Sequence, residues 1–289
     1  MPFLLTRTAV KELKTDAKVI GSCPYNTSNR NRQWQPDLWA EQRRIAQLPV
    51  GESMLTSGQE FDAKYGIVTV PPIWEGGSRR EELHLAACYD SALRLAHRRR
   101  CKSIAFPLLS GDCHGFPRDL ALRTAIATIR EFLRKHEITV YLSVRDSWAV
   151  QLPRPEMEGI SHLLDGCEEQ EETVTGTGES FSQCLDRLME EKGIKDPELW
   201  QKANLDRRQF QKIRSGSNHQ PSRTAAAALA VALELNPRQA EELMAKAGYG
   251  FSQGSRFDRI VRYYMEQGNF DLYEINQALF AFEQPLLGE

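Results

Sequence analysis

The 289-residue sequence lacks an apolar run long enough to cross a bilayer. Its longest small and apolar stretch, Ala225 to Leu233, falls well short of the roughly 20 residues a membrane helix needs. Met1-Pro-Phe-Leu-Leu gives way at once to polar and charged residues, so no secretory leader and no membrane partner are expected. The six cysteines, at 23, 88, 101, 113, 167 and 184, form no Cys-x-x-Cys and have no histidine at metal-ligand spacing. Reduced thiols, no metal, no cofactor and a cytoplasmic location are the resulting expectations. An excess of one charge sign is also missing. A net charge of -2 argues against nucleic acid wrapped by the whole chain. The total conceals contrasts: residues 1–150 hold 22 Lys and Arg against 16 Asp and Glu, residues 151–178 one against seven, and residues 179–289 14 against 16.

What is present begins with Ile104 to Pro117. The apolar run Ile104 to Leu109 reads as a buried strand, the turn-forming Ser110, Gly111 and Gly115 as a loop, and Pro117 as the opening of a helix that continues to about Lys135. A loop that leaves the carboxyl end of a strand for a helix N-terminus offers free backbone N–H groups and a positive dipole end to a phosphate. Further strands are expected at Phe3 to Leu5, Ala17 to Ile20, Tyr65 to Val70 and Ile138 to Val144, with helices at Leu38 to Gln47 and Arg80 to Arg98. The second of these helices shows Leu83, Ala86, Ala87, Leu93 and Leu95 near helical spacing. The cluster Arg98-Arg-Arg-Cys-Lys102 closes it, where cations complement the helix dipole; nucleic-acid contact is the alternative that ranks second. Alternating strands and helices over residues 1–150 imply a three-layer α/β domain with a mixed, largely parallel sheet. Asp112, Cys113 and His114 supply the ingredients of thiolate chemistry, but neighbours in sequence seldom face one another, and loop side chains are the plainer reading.

Val70-Pro-Pro-Ile-Trp74, Cys88-Tyr-Asp-Ser-Ala-Leu-Arg-Leu-Ala, Cys101-Lys-Ser-Ile-Ala-Phe-Pro-Leu-Leu-Ser and His114-Gly-Phe-Pro together resemble the second half of a macrodomain, the ADP-ribose-binding module. The resemblance covers about residues 1–146 and is specific from Gly51 onward. It implies that Ser110, Gly111, Asp112, Cys113, His114 and Gly115, with Ile20 and Gly21 from an earlier strand, line the site for ADP-ribose or a related nucleotide. The first half departs from the family pattern. The usual Asn-Ala-Ala-Asn falls on Ile20-Gly-Ser-Cys23, and the usual Gly-rich loop with its catalytic Asp falls on Tyr25 to Asp37, which has no glycine. The acid that grips adenine falls on Ala9, and the second loop reads Ser110-Gly111-Asp112 in place of Ser-Ser-Gly or Ser-Thr-Gly. Without those glycines Cβ atoms occupy the space a pyrophosphate would take. Asp112 adds negative charge beside the phosphates, which Arg30 and Arg32 would offset if their loop folds over the site.

Residues 151–178, with Pro153, Pro155 and the acid run Glu168 to Glu172, read as a flexible, self-repelling linker, with room for a short helix at Ile160 to Leu164. Residues 179–289 read as an all-α domain. Ser180 caps a first helix, Asp196, followed by Pro197 at the first helical position, caps a second over Glu198 to Ala203, Arg207 to Arg214 is a third, and two more follow to about 248. The short helix, tight turn and short basic helix resemble the helix-turn-helix of phage-repressor-like DNA-binding domains. That resemblance assigns nucleic-acid contacts to Arg207, Arg208, Gln211, Lys212 and Arg214; a helical protein-interaction domain is the alternative. Two further amphipathic helices within Phe257 to Phe282 cover either the five-helix core or a dimer partner, so a homodimer is a further expectation. This tail resembles an extension of some bacterial macrodomain proteins.

Three functions follow as expectations. The first is a divergent macrodomain acting as a sensor or adaptor of ADP-ribose, coupled to the helix-turn-helix domain. The second is an ADP-ribosyl hydrolase with altered loops, releasing ADP-ribose from proteins or deacetylating O-acetyl-ADP-ribose. The third is an interaction scaffold whose pocket is closed.

Overall fold

The computed structural model describes residues 3–21, 44–58, 62–110, 114–144, 152–165, 179–215, 220–251 and 254–288. The chain divides into two compact units, Phe3–Ala149 and Val150–Glu289.

In the first unit the described strands are β1 (Phe3–Thr6), β2 (Ala17–Gly21), β3 (Ser53–Ser57), β4 (Tyr65–Thr69), β5 (Ser103–Pro107) and β6 (Thr139–Ser143), with helices α1 (Glu81–Arg98) and α2 (Arg118–Leu133). They form one sheet in the order β1-β6-β5-β2-β4-β3, parallel throughout except for the antiparallel pair β3–β4. The α/β fold with a mixed, largely parallel sheet is as the sequence predicts. Ile104, Ala105 and Phe106 are each fully buried. Successive strand residues point to opposite faces, so β5 is covered on both, as the centre of a three-layer fold requires.

Edge strand β3 has no counterpart in the sequence reading, because Ser-Met-Leu-Thr-Ser lacks a clean alternation. The buried face of α1 also differs from the expected one. Leu85, Cys88, Tyr89, Ala92, Leu93 and Ala96 are buried, whereas Leu83 is 65% exposed. The true stripe runs i, i+3, i+4, i+7 from Leu85, and it contains a cysteine and a tyrosine that an aliphatic count passes over. The helix expected at Leu38 to Gln47 lies largely outside the described residues; Arg44 to Ala46 are helical.

The second unit is all-α: α3 (Arg154–Leu164), α4 (Phe181–Lys192), α5 (Asp196–Lys202), α6 (Arg207–Arg214), α7 (Arg223–Ala232), α8 (Pro237–Lys246), α9 (Arg256–Glu266) and α10 (Leu272–Ala281). The apolar run from Ala225 is its central helix. Every residue from Ala225 to Leu233 is buried, as befits a helix apolar on all sides. Ser180 with Gln183, and Asn236 with Gln239, form reciprocal capping boxes, whereas Asp196, expected as a cap, is the first helical residue of α5 after Lys195, which makes no side-chain cap bond. The stripes of α9 and α10, Phe257, Ile260, Val261, Tyr264, Leu272, Ile275 and Leu279, are buried within this unit, whereas Phe282, expected in the second stripe, is half-buried at the C-cap of α10. Of the two roles read for them, the structure shows the first, cover for the helical core.

The stretch read as linker is corrected in its first half. Residues 154–164 form α3, which packs on α9 with Ile160 and Leu164 buried. Tyr264 Oη donates to the Glu156 carboxylate, and Arg259 donates to the Leu163 carbonyl. A Cβ on Gly159 would sit 3.3 Å from Tyr263 Oη, so glycine permits the close approach. Pro153 and Pro155 fall at the N-cap and in the first turn, where a missing N–H leaves no bond unmade. The acid run from Glu168 lies outside the described residues.

Candidate functional site

The parallel pairing of β2 with β5 includes Ala17 with Ile104 and Lys18 with Ala105 but goes no further toward the carboxyl end. On its other side β2 stays paired with β4 up to Gly21 and Thr69. The chain leaves β2 toward β3 and β4 on one side and reaches β5 on the other. The parting of β2 and β5 is therefore a topological switch point, where open α/β sheets hold their ligands.

Gly21 stands at this crevice. A Cβ there would lie 3.1 Å from Pro71 Cγ and 3.2 Å from Leu109 Cδ2, so glycine lets these two side chains approach the end of β2. The loop after β5 is anchored on several sides. Leu108 N donates to the Ser143 carbonyl at 3.1 Å, Leu109 N to Tyr89 Oη at 2.9 Å, and Ser110 Oγ to the Pro72 carbonyl at 3.4 Å. At its far end Trp74 N donates to the His114 carbonyl at 2.9 Å, and the Trp74 and Phe116 rings pack at 4.6 Å. Ser110 adopts a left-handed φ of 64°, uncommon for a residue with a Cβ and held here by its neighbours. Burial pushes the Tyr89 hydroxyl pKa well up, so it stays a neutral acceptor for the loop. Burial likewise raises the Cys88 thiol to about 11, which leaves it inert.

Of the residues predicted to line this site, the structure brings Gly21 beside Leu109 and the Ser110 turn. Ser110 and His114 are buried, Ile20 is half-buried and Gly115 is exposed with a φ of 66°. Gly111, Asp112 and Cys113 lie outside the described residues, as do Arg30, Arg32 and the whole of Tyr25 to Asp37. The residues that shape the crevice, Pro71, Tyr89 and Leu109, were not singled out as site residues. Two signals were available in the sequence: the Val-Pro-Pro turn after β4 and the Cys-Tyr pair inside α1.

Behind the crevice the loop from Trp74 to α1 is closed by Glu81. Its carboxylate accepts from the backbone N–H of Glu75, Gly77 and Arg79 at 3.0, 3.1 and 2.7 Å. Burial pushes its pKa up, but these bonds, with one from its own backbone, together outweigh that and hold the group below its ordinary value.

In the helical unit, α5 and α6 are joined by a turn in which Asn204 takes a left-handed φ of 55° and Asp206 caps α6 by accepting from Arg208 N at 2.8 Å. Phe210 and Ile213 are buried, and Arg207, Arg208, Gln211 and Lys212 are exposed on the opposite face. Arg214 pairs with Asp186 of α4 at 3.0 Å and with Asp196 of α5, so it bridges three helices. Glu179, Cys184 and Glu242 converge nearby, but Arg187 Nη2 lies 2.6 Å from Glu242 and 3.4 Å from Glu179, so a guanidinium already meets their charge. Among the described residues no helix is long and apolar enough to cross a membrane.

Two family models match this chain: the Macro domain over residues 31–125 and the Cro/C1-type HTH DNA-binding domain over residues 184–246. A macro domain-containing protein of Methanosarcina mazei is 44% identical over 109 residues, 37% of this chain and 58% of the relative. Another, from Mesorhizobium japonicum, is 34% identical over 118 residues, 40% of this chain and 67% of the relative. The ADP-ribose glycohydrolase MACROD2 of Xenopus laevis is 39% identical over 102 residues, 35% of this chain and 24% of the relative. The chain thus spans less than two thirds of the Methanosarcina protein's length.

Proposed function

Because the chain belongs to the macrodomain family and carries a helix-turn-helix domain after it, we propose that it is a two-part sensor, in which ADP-ribose or a related nucleotide bound by the first unit alters duplex-DNA binding by the second. The observation that carries the ligand reading is the convergence at the switch point: glycine at 21 opposite Leu109, beside an anchored turn at Ser110 that leads into α2. Backbone N–H groups at that turn and the N-terminus of α2 favour a diphosphate. In this proposal Ser110, Gly111, Asp112, Cys113, His114 and Gly115 form the phosphate side of the pocket, and Ile20 and Gly21 the facing wall. Asp112 weakens the grip by adding charge of the ligand's own sign. The DNA reading rests on the outward face of α6, where Arg207 and Lys212 meet phosphates and Arg208 and Gln211 reach base edges. A cytoplasmic location is part of the proposal.

Calorimetric titration with ADP-ribose tests the first half. Heat of binding at sub-millimolar ligand is expected, and none at millimolar ligand would leave the closed scaffold. Duplex affinity measured with and without ADP-ribose tests the coupling; equal affinities would reduce the protein to two unlinked binders. Hydrolysis is the second reading, supported by the identity to a glycohydrolase. Release of ADP-ribose from a modified protein, abolished in Asp112→Ala, would replace the sensor by an enzyme.

A further inference from the structure

At the amino-terminal edge of the sheet, opposite Gly21 and Ser110, lies a second concentration of charge. Lys14 and Lys64 line an open polar recess of about 610 Å³ with Asp16, Asp62 and Ser103. Lys64 and Arg99 lie 5.5 and 5.9 Å from the Tyr65 ring centroid, which draws both cations to one ring. Arg98, Arg100 and Lys102 are exposed beside them. The turn that bears them is rigid: Lys102 N donates to the Asp16 carboxylate at 2.6 Å, Cys101 N to the Ala96 carbonyl at 3.0 Å, and Thr139 N to the Lys102 carbonyl at 2.9 Å.

Elsewhere on this unit many exposed cations sit a helical turn from an acid, as Arg94 does with Asp90, Arg123 with Asp119, and Lys135 with Glu131. Among the described residues, none of the six at this edge has an ion pair of that kind. The C-terminal dipole of α1, equivalent to about half a charge, accounts for one cation and not for six. Asp16 and Asp62 are the acids of the recess, and Asp16 is engaged by Lys102 N–H.

We propose that this edge is a second nucleic-acid surface, one that grips the sugar-phosphate backbone without reading sequence. Six cations, against the two acids of the recess and Glu137 just before the neighbouring β6, leave a positive excess on a rigid edge that suits a row of phosphates, and guanidinium forks suit phosphate oxygens. The surface is separate from α6 and does not depend on the helix-turn-helix reading.

Fluorescence anisotropy of the full chain with a labelled single-stranded oligonucleotide and with its duplex, over a series of salt concentrations, tests it. Two variants are compared: Arg98→Glu/Arg99→Glu/Lys102→Glu at the edge, and Arg208→Ala/Lys212→Ala on α6. The edge variant is expected to bind both oligonucleotides about tenfold or more weakly, and its log–log salt slope on duplex to fall by about 2 to 3, since each phosphate contact contributes about 0.9. The α6 variant is expected to weaken duplex binding and spare the single strand. An edge variant with unchanged affinity and slope overturns the proposal, whatever α6 does. So does competition by polyglutamate as effective, charge for charge, as by unlabelled oligonucleotide, which would assign the edge to acidic proteins. If the triple variant loses its thermal transition, Arg98→Gln/Lys102→Gln is judged by the same slope.

Discussion

Gly21 matters for the side chain it does not have. Alanine would place a Cβ 3.1 Å from Pro71 and force a shift of a few tenths of an ångström; valine cannot be accommodated without moving Pro71 or Leu109. Gly21→Val is expected to cost about 1–3 kcal/mol of stability and to weaken ADP-ribose binding, read by urea unfolding and calorimetry on the same sample. Glu81 gives a pH-dependent case. Its folded pKa lies below the ordinary 4.5, so its contribution to stability is complete above that value and fades as pH falls through the lower folded pKa. Glu81→Gln should therefore flatten the loss of urea resistance on acidification below about pH 4.5, and a variant with the wild-type acid profile would remove Glu81 from that role. At this scale the sequence was only partly legible. Ser110 and Gly115 stand out as turn residues, but the role of Gly21 depends on Pro71 and Leu109, residues that become neighbours only when β2, β4 and β5 align.

Helix α6 shows how local pattern and tertiary context divide the work. Its bounds, its buried pair Phe210 and Ile213 and its outward face were readable from spacing. The pairing of Arg214 with Asp186 and Asp196 was not readable, because both acids belong to other helices. Asp206 is both cap and liability: its carboxylate holds Arg208 N but stands beside the proposed phosphate contacts. Asp206→Asn keeps an acceptor at the cap and removes the charge, so stability should stay within about 0.5 kcal/mol while duplex affinity rises; lower affinity in an anisotropy titration would move DNA away from this end of α6. Of helix α3 only the last part, Ile160 to Leu164, was read, because the prolines and acids around it resemble a linker. What orders it is α9, and Tyr264→Phe, which removes the donor to Glu156, should cost the helical unit about 1 kcal/mol in thermal or urea unfolding followed by circular dichroism.

For the whole molecule, the division after Ala149 places α3 with the helical unit. A protein comprising residues 150–289 should therefore be more resistant to urea than one comprising 179–289, in which the face of α9 that receives Ile160 and Leu164 is bare; equal midpoints would make α3 dispensable. The two-part architecture was visible in composition, since strand-helix alternation stops near residue 150. Edge strand β3 and the first part of α3 were not, because each is fixed by a partner distant in sequence. The last described residues carry a practical consequence. Leu287 N–H and C=O are both bonded by buried Asn276, at 2.7 and 3.1 Å. Gly288, at φ 85°, lies so close to the turn between α5 and α6 that a Cβ would be 2.9 Å from the Ala203 carbonyl oxygen. Bulk added at Gly288 meets the turn that aims α6, so DNA binding measured with a group attached there reports that group's crowding together with the protein.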